Sequence, residues 1–172
     1  MRATLLLVML LSGCVLHSKT PIFSDAEAIP LFGAGEMTFA VSGFKHGQWQ
    51  AADEPSATAR RVGRHYLVPD TGSSEDPATA DSYYFIPLDG ARLVVQAVAG
   101  SEADYAIATW DGKTLLVSPL DCAALKTSLK TNDLVEFVND SCRLRPSDTA
   151  PLAQFSRLAE RAGQPKLRFV RQ

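Results

Sequence analysis

Cysteine and histidine are scarce, with three of each in 172 residues, which leaves little material for a multi-ligand metal centre. Charge of one sign is also missing. The chain carries 17 basic and 19 acidic side chains for a net charge of −2, so no bulk attraction draws it to nucleic acid. Beyond the N-terminus, no run approaches the roughly 20 apolar residues of a membrane-spanning helix. There is no Gly-x-Ser-x-Gly elbow, P-loop, His-Glu-x-x-His or Cys-x-x-Cys, so the common nucleophile, nucleotide and zinc motifs are excluded. Gly33-Ala34-Gly35 lacks the third glycine and the preceding strand of a dinucleotide motif and reads as a turn. No cofactor is implied. What remains is ordinary globular composition, 46% hydrophobic and 21% charged, at a length suited to one domain.

The N-terminus is the most specific part of the chain. Met1-Arg2 supplies a positive charge, Ala3 to Leu11 is apolar except for Thr4, and Ser12-Gly13-Cys14 follows. That order describes a secretory signal peptide. Nine helical residues span only about 14 Å, under half of a bilayer core of roughly 30 Å, so the run is no permanent membrane anchor. Leu11-Ser12-Gly13-Cys14 resembles the lipobox of bacterial lipoproteins. The resemblance implies a diacylglyceryl group on the Cys14 sulfur, cleavage before Cys14, acylation of the new amino group and attachment to a membrane of the cell envelope. Val15 stands where an aspartate favours inner-membrane retention, so the resemblance points to the outer membrane, with the chain facing the periplasm.

With Cys14 acylated, Cys122 and Cys142 are left as an even pair in an oxidising compartment, where a disulfide is expected. Charge is uneven along the mature chain. Residues 142–172 hold seven basic and two acidic side chains, whereas residues 14–141 hold nine basic and seventeen acidic. Either the basic end meets lipid or an acidic partner, or the two parts neutralise each other within the fold.

The organisation expected is a signal peptide at 1–13, a flexible tether at 14–30 and a single mainly-β domain at 31–172. Met37, Phe39 and Val41 alternate with small or polar residues, and residues 59–68 alternate again. Residues 69–82 read as a solvated acidic loop without the spacing of an EF-hand. Asp89-Gly90 and Asp111-Gly112 each separate two strand-like runs, the signature of tight hairpins. A four-stranded antiparallel meander is therefore expected over 83–118, and Tyr83 to Leu88 carries apolar groups on both faces, so a cover is expected on each. A helix capped by Ser147 or Asp148 is expected to run to Ala162, with Leu152, Phe155, Leu158, Ala159 and Ala162 in one stripe. The fold class expected is α+β, mainly antiparallel, with this helix packed on the sheet.

For chemistry, Arg60, Arg61 and Arg64 beside His65 form either an anion or partner site or a charged edge strand. Asp104, Asp111 and Asp121 are candidates for paired acid/base carboxylates. The aromatic residues Trp49, Tyr66, Tyr83, Tyr84, Tyr105 and Trp110 line either a ligand groove or a core. No catalytic set emerges, so the function expected is a non-enzymatic interaction or accessory module of the envelope with a protein partner. A binder of a small ligand or envelope polymer is the alternative, and a cryptic enzyme the third reading. Radiolabelled palmitate is expected to enter the parent chain in bacterial cells but not Cys14→Ser, and equal labelling of both would remove the lipid anchor.

Overall fold

The computed structural model describes residues 15–69, 80–128, 134–139, 141–145 and 150–172. Cys14, the signal peptide, most of the acidic loop and the expected cap residues Ser147 and Asp148 lie outside the described residues. Eleven strands form one hydrogen-bonded sheet: β1 (Leu16–Ser18), β2 (Glu36–Lys45), β3 (Gln48–Val62), β4 (His65–Val68), β5 (Asp81–Asp89), β6 (Arg92–Ala99), β7 (Glu102–Trp110), β8 (Thr114–Pro119), β9 (Val135–Val138), β10 (Ser141–Leu144) and β11 (Leu167–Arg171). The helices are α1 (Cys122–Ser128) and α2 (Pro151–Ala159).

Strands β2 to β8 follow one another up and down, each antiparallel to the next. Strand β11 then lies between β8 and β2, with Phe169 opposite both Leu115 and Val41. The ring closes into an eight-stranded barrel, which has no free edges to protect. Beyond it, β1 pairs with the first part of β7 and carries β10 and β9 outward.

The alternation of the strands becomes an inside and an outside. Met37, Phe39, Val41, Ala57, Ala59, Tyr66, Phe85, Val95, Ala106, Leu115, Val117 and Leu167 belong to the lumen core. Small alanines beside large aromatics let opposite walls interlock. The turns differ in detail from the sequence reading. The chain continues as strand through Lys45 and turns at His46-Gly47, where both φ angles are positive. The next hairpin turns one residue later than Asp89-Gly90 indicates, because Asp89 is still paired with Arg92. Gly90 (φ 48) then supplies the positive φ at the first turn position.

A second core covers the outer face of β5, β6 and β7. Ile86, Val94, Tyr105 and Ile107 point outward from the barrel and meet Leu16, Phe23, Leu120, Leu125, Val135, Cys142, Phe155 and Leu158. The apolar residues on both faces of Tyr83 to Leu88 thus have the two covers expected of them. Helix α2 seats Phe155 against Phe23 (5.6 Å between ring centroids) and Tyr105 (5.1 Å). Its stripe is rotated from the expected one, burying Gln154 and leaving Leu152 39% exposed.

Two expectations are corrected. The fold class is not α+β with a meander under one helix. It is predominantly antiparallel β, a closed eight-stranded barrel with extra strands. The strands expected over 83–118 are half of the ring, and the closing pairs of β11 join residues more than a hundred positions apart, such as Phe169 and Val41, a distance beyond the reach of local pattern. Residues 15–30 do not extend as a tether either. Leu16 and Ala28 are fully buried and Phe23 is nearly so, because the outer faces of β5 to β7 need apolar cover.

The disulfide is formed, with Cys122 and Cys142 at a Cα separation of 5.5 Å and 20 residues apart. It ties α1 to β10 within the second core. Replacing both cysteines with alanine is expected to destabilise the protein by about 3 kcal/mol, measured from urea unfolding midpoints. A loss under about 1 kcal/mol would show that the outer layer holds without the bridge.

Candidate functional site

The barrel lumen is the first place to look for a ligand, since eight strands enclose space for side chains or one small molecule. The remaining cavity is only about 60 Å³ and is walled by apolar and aromatic side chains, among them Phe39, Tyr66, Tyr83, Phe85 and Phe169. A site of drug size needs about 300 Å³ or more, so this lumen is a packed core with a small dry void. Phe32, which belongs to no strand, forms part of its wall. Its ring lies 4.8 to 5.4 Å from those of Phe39, Tyr66, Phe85 and Trp110. The Tyr66 hydroxyl accepts from the Phe32 N–H and donates to the Phe32 carbonyl, both at 2.8 Å.

Phe32 is held there by the strap formed by residues 19–35, which crosses the outside of the barrel. The Gln96 side chain, fully buried in the middle of β6, accepts from the N–H groups of Ile22 and Phe23 at 2.9 Å and donates to the Phe23 carbonyl at 2.8 Å. Tyr105 Oη lies 2.7 Å from Ser18 Oγ, and burial pushes the Tyr105 phenol up to about 12. Farther along, Asp25 Oδ1 meets His65 Nδ1 at 2.9 Å and accepts the Arg64 N–H at 3.0 Å. His65 stacks on Tyr84.

The arginines singled out by sequence therefore do not converge on an anion. Arg61 Nε donates to the Gly63 carbonyl at 2.9 Å and Arg64 Nη1 to the Ala26 carbonyl at 2.8 Å. Arg60 is exposed and lies opposite Glu36 and Leu67 in the sheet. Two of the three serve local backbone, and Gly63 between them has φ 61 with Asp25 so close that a Cβ would meet its Oδ2 at 2.8 Å. The carboxylates fare similarly. Asp111 accepts the N–H groups of Lys113 and Thr114 in its turn, and Asp121 accepts from Ala124 at the start of α1. Asp104, whose carboxyl burial pushes up, stands seven residues before Asp111 along β7, about 23 Å away at strand rise. The aromatic residues also divide: Tyr66, Tyr83 and Trp110 face the lumen, Tyr84 and Tyr105 the second core. Trp49 packs with Phe44 under the Arg168 guanidinium elsewhere on the barrel wall.

A larger concavity, about 420 Å³, opens in the outer layer between the strap, β9–β10 and α2. It is lined by Lys19 and Ile22 from the strap, Glu136 from β9, Arg143 from β10, Arg145 just past its end, and Pro151, Gln154 and Phe155 from α2. Arg143 Nε makes no hydrogen bond and is ion-paired with Glu136 Oε2 at 3.6 Å. Arg143 and Arg145 reach one face because they stand two apart along β10 and its continuation, while β1 runs parallel to β10 and brings Lys19 alongside. The alternation Arg143-Leu144-Arg145 was visible in the sequence; its meeting with Lys19 was not. Among the described residues, no three His, Cys, Asp or Glu side chains gather to hold a metal ion.

Comparison with family models, curated proteins and solved structures finds no match to this chain.

Asp25 carries a pH-dependent part of the strap's hold. Its hydrogen bond with His65 draws the carboxyl below the ordinary value of 3.8, burial opposes this, and the Arg64 N–H lowers it further. A carboxyl lowered on folding contributes in full above its ordinary value and loses that contribution as pH falls through the depressed one. Asp25 is 45% exposed, so solvent keeps the effect under about 1 kcal/mol. Asp25→Asn is expected to lower the thermal midpoint at pH 7, with the gap to the parent narrowing below pH 4 and closing under the depressed value; a gap unchanged down to pH 2 would assign the loss to shape instead of charge.

Proposed function

We propose that this chain is a lipid-anchored, non-enzymatic binding module of a bacterial envelope, and that its barrel is a scaffold for an external cleft. The observation that carries this reading is the contrast between the two concavities. The lumen cavity holds about 60 Å³ and is walled by apolar and aromatic side chains, whereas the outer cleft holds about 420 Å³ and is lined by three cations, a carboxylate and an amide. Binding sites join an apolar wall to a few placed polar groups, and Ile22 and Leu144, both partly exposed, supply that wall here.

The anchor supports the same reading. Val15 is bridged to Asp121, and the Leu16 N–H donates to the Leu120 carbonyl at 2.9 Å. An acyl group on Cys14 would therefore sit one residue from the folded body. From Cys14 to Lys19 the chain covers five residues, at most about 17 Å, so the cleft would lie within reach of the membrane surface. This agrees better with an accessory module working at the bilayer than with a domain held away from it.

The test is position-dependent crosslinking in living cells. A photoreactive residue at Lys19 or Arg145 is expected to give discrete adducts, and one at Lys45 in the β2–β3 hairpin none. Adducts of equal pattern from all three positions, or a small apolar molecule co-purifying in the lumen with no cleft adduct, would overturn the reading.

A further inference from the structure

Taking the cleft as the recognition surface, we infer that its ligand bears a phosphate group. Two separate segments deliver three cations to one concavity, Lys19 from the strap and, from the other, Arg143 of β10 with Arg145 just past its end, against one carboxylate among the described residues, that of Glu136. Among the described lining residues the balance is thus two positive charges, matched to a phosphate monoester of about −1.5 to −2. Such a concentration is unusual in a chain whose net charge is −2. It is only partly engaged: Arg143 Nε makes no hydrogen bond, and its ion pair with Glu136, at 3.6 Å, is longer than a hydrogen bond.

The fourth wall points the same way. Helix α2, nine residues long, begins at Pro151 on the cleft surface, and Ala150 before it offers no side-chain cap. Proline at the first position removes one N–H, but the helix start remains the positive end of its dipole. Guanidinium groups bind phosphate oxygens in a planar fork, and Arg143 and Arg145, two apart along β10 and its continuation, lie on one side of it. Ile22 and Leu144 leave an apolar margin for whatever carries the phosphate.

Two sources offer this chemistry, a phospholipid headgroup of the membrane and a free phosphorylated metabolite. Isothermal titration of the full chain, purified from membranes in a non-ionic detergent, separates them. The probes are inorganic phosphate, glycerol 3-phosphate and dihexanoyl phosphatidylglycerol. Saturable binding of at least one is expected; tightest binding of the short-chain lipid assigns the headgroup, and tightest binding of glycerol 3-phosphate assigns the free ester. Arg143→Gln with Arg145→Gln is expected to weaken binding at least tenfold. Glu136→Gln, which removes the opposing charge, is expected to tighten it about threefold, a gain that misfolding does not produce. Lys45→Gln with Arg60→Gln removes as much charge away from the cleft and is expected to change nothing. Absence of saturable binding to all three probes, or equal weakening by the two double variants, would overturn the inference. Cleft adducts in cells without phosphate binding would overturn it while leaving the binding-module reading in place.

Discussion

Strand β11 has a hydrogen-bonded partner on each side, β8 and β2, and the rest of the structure depends on that closure. An open sheet of seven strands would present two edges and an inner face needing a separate cover. Closing the ring satisfies the edge backbone groups and turns the inner face into its own core. The consequence for function is direct. With eight strands and side chains such as Phe39, Tyr66 and Phe85 pointing inward, the lumen largely fills itself, and the larger concavity lies outside the barrel.

Closure leaves one problem, an outer wall that is apolar over β5, β6 and β7. The strap, α1, β9–β10 and α2 answer it, and buried polar groups specify how. Gln96 sits without exposure among apolar neighbours and is tolerable only because its oxygen and nitrogen both find backbone partners at Ile22 and Phe23. A strap shifted by one residue would leave those groups unpaired, so the amide fixes register where apolar contact alone would allow sliding. Tyr66 does the same for Phe32 at the far end. The strap is thereby held at both ends of its path, and the cleft it borders with β10 and α2 has a fixed wall.

How much of this was legible in the sequence depends on the range of the interaction. Strand alternation around Phe39 and the pairing of Cys122 with Cys142 are local or compositional signals, and both are present. The barrel was not legible, because the residues of β11 read simply as a short terminal strand and nothing in them names two partners. The strap was missed for a related reason: Val15 to Pro30 is polar enough to resemble a tether, and its few apolar residues, Leu16, Phe23 and Ala28, are placed at contacts instead of at a regular period. One clue was available. Gln96 interrupts Leu93-Val94-Val95 and Ala97-Val98, and a polar residue in a strand covered on both faces requires a buried partner. The sequence left the role of the clustered arginines open because it does not show direction: Arg61 donates to the Gly63 carbonyl of its own turn, and Arg64 to the Ala26 carbonyl of the strap.

The cleft could arise only in the outer layer. Barrel strands alternate in and out along every strand, so a barrel wall offers isolated side chains on a convex surface and gathers few charges at one point. The outer layer is built differently. A parallel pair, β1 with β10, sets two chain directions side by side, and α2 crosses in front of them. Lys19 and Arg145 can then project into the same space although they are far apart in sequence. The net charge of residues 142–172, which composition alone leaves undivided, is split by this arrangement: Arg143 and Arg145 enter the cleft, whereas Arg168 covers Trp49 and Arg171 lies near Gly33. The first pair lines the cleft, with Arg143 ion-paired to Glu136 across β9–β10 at 3.6 Å, and the second lies against the barrel wall.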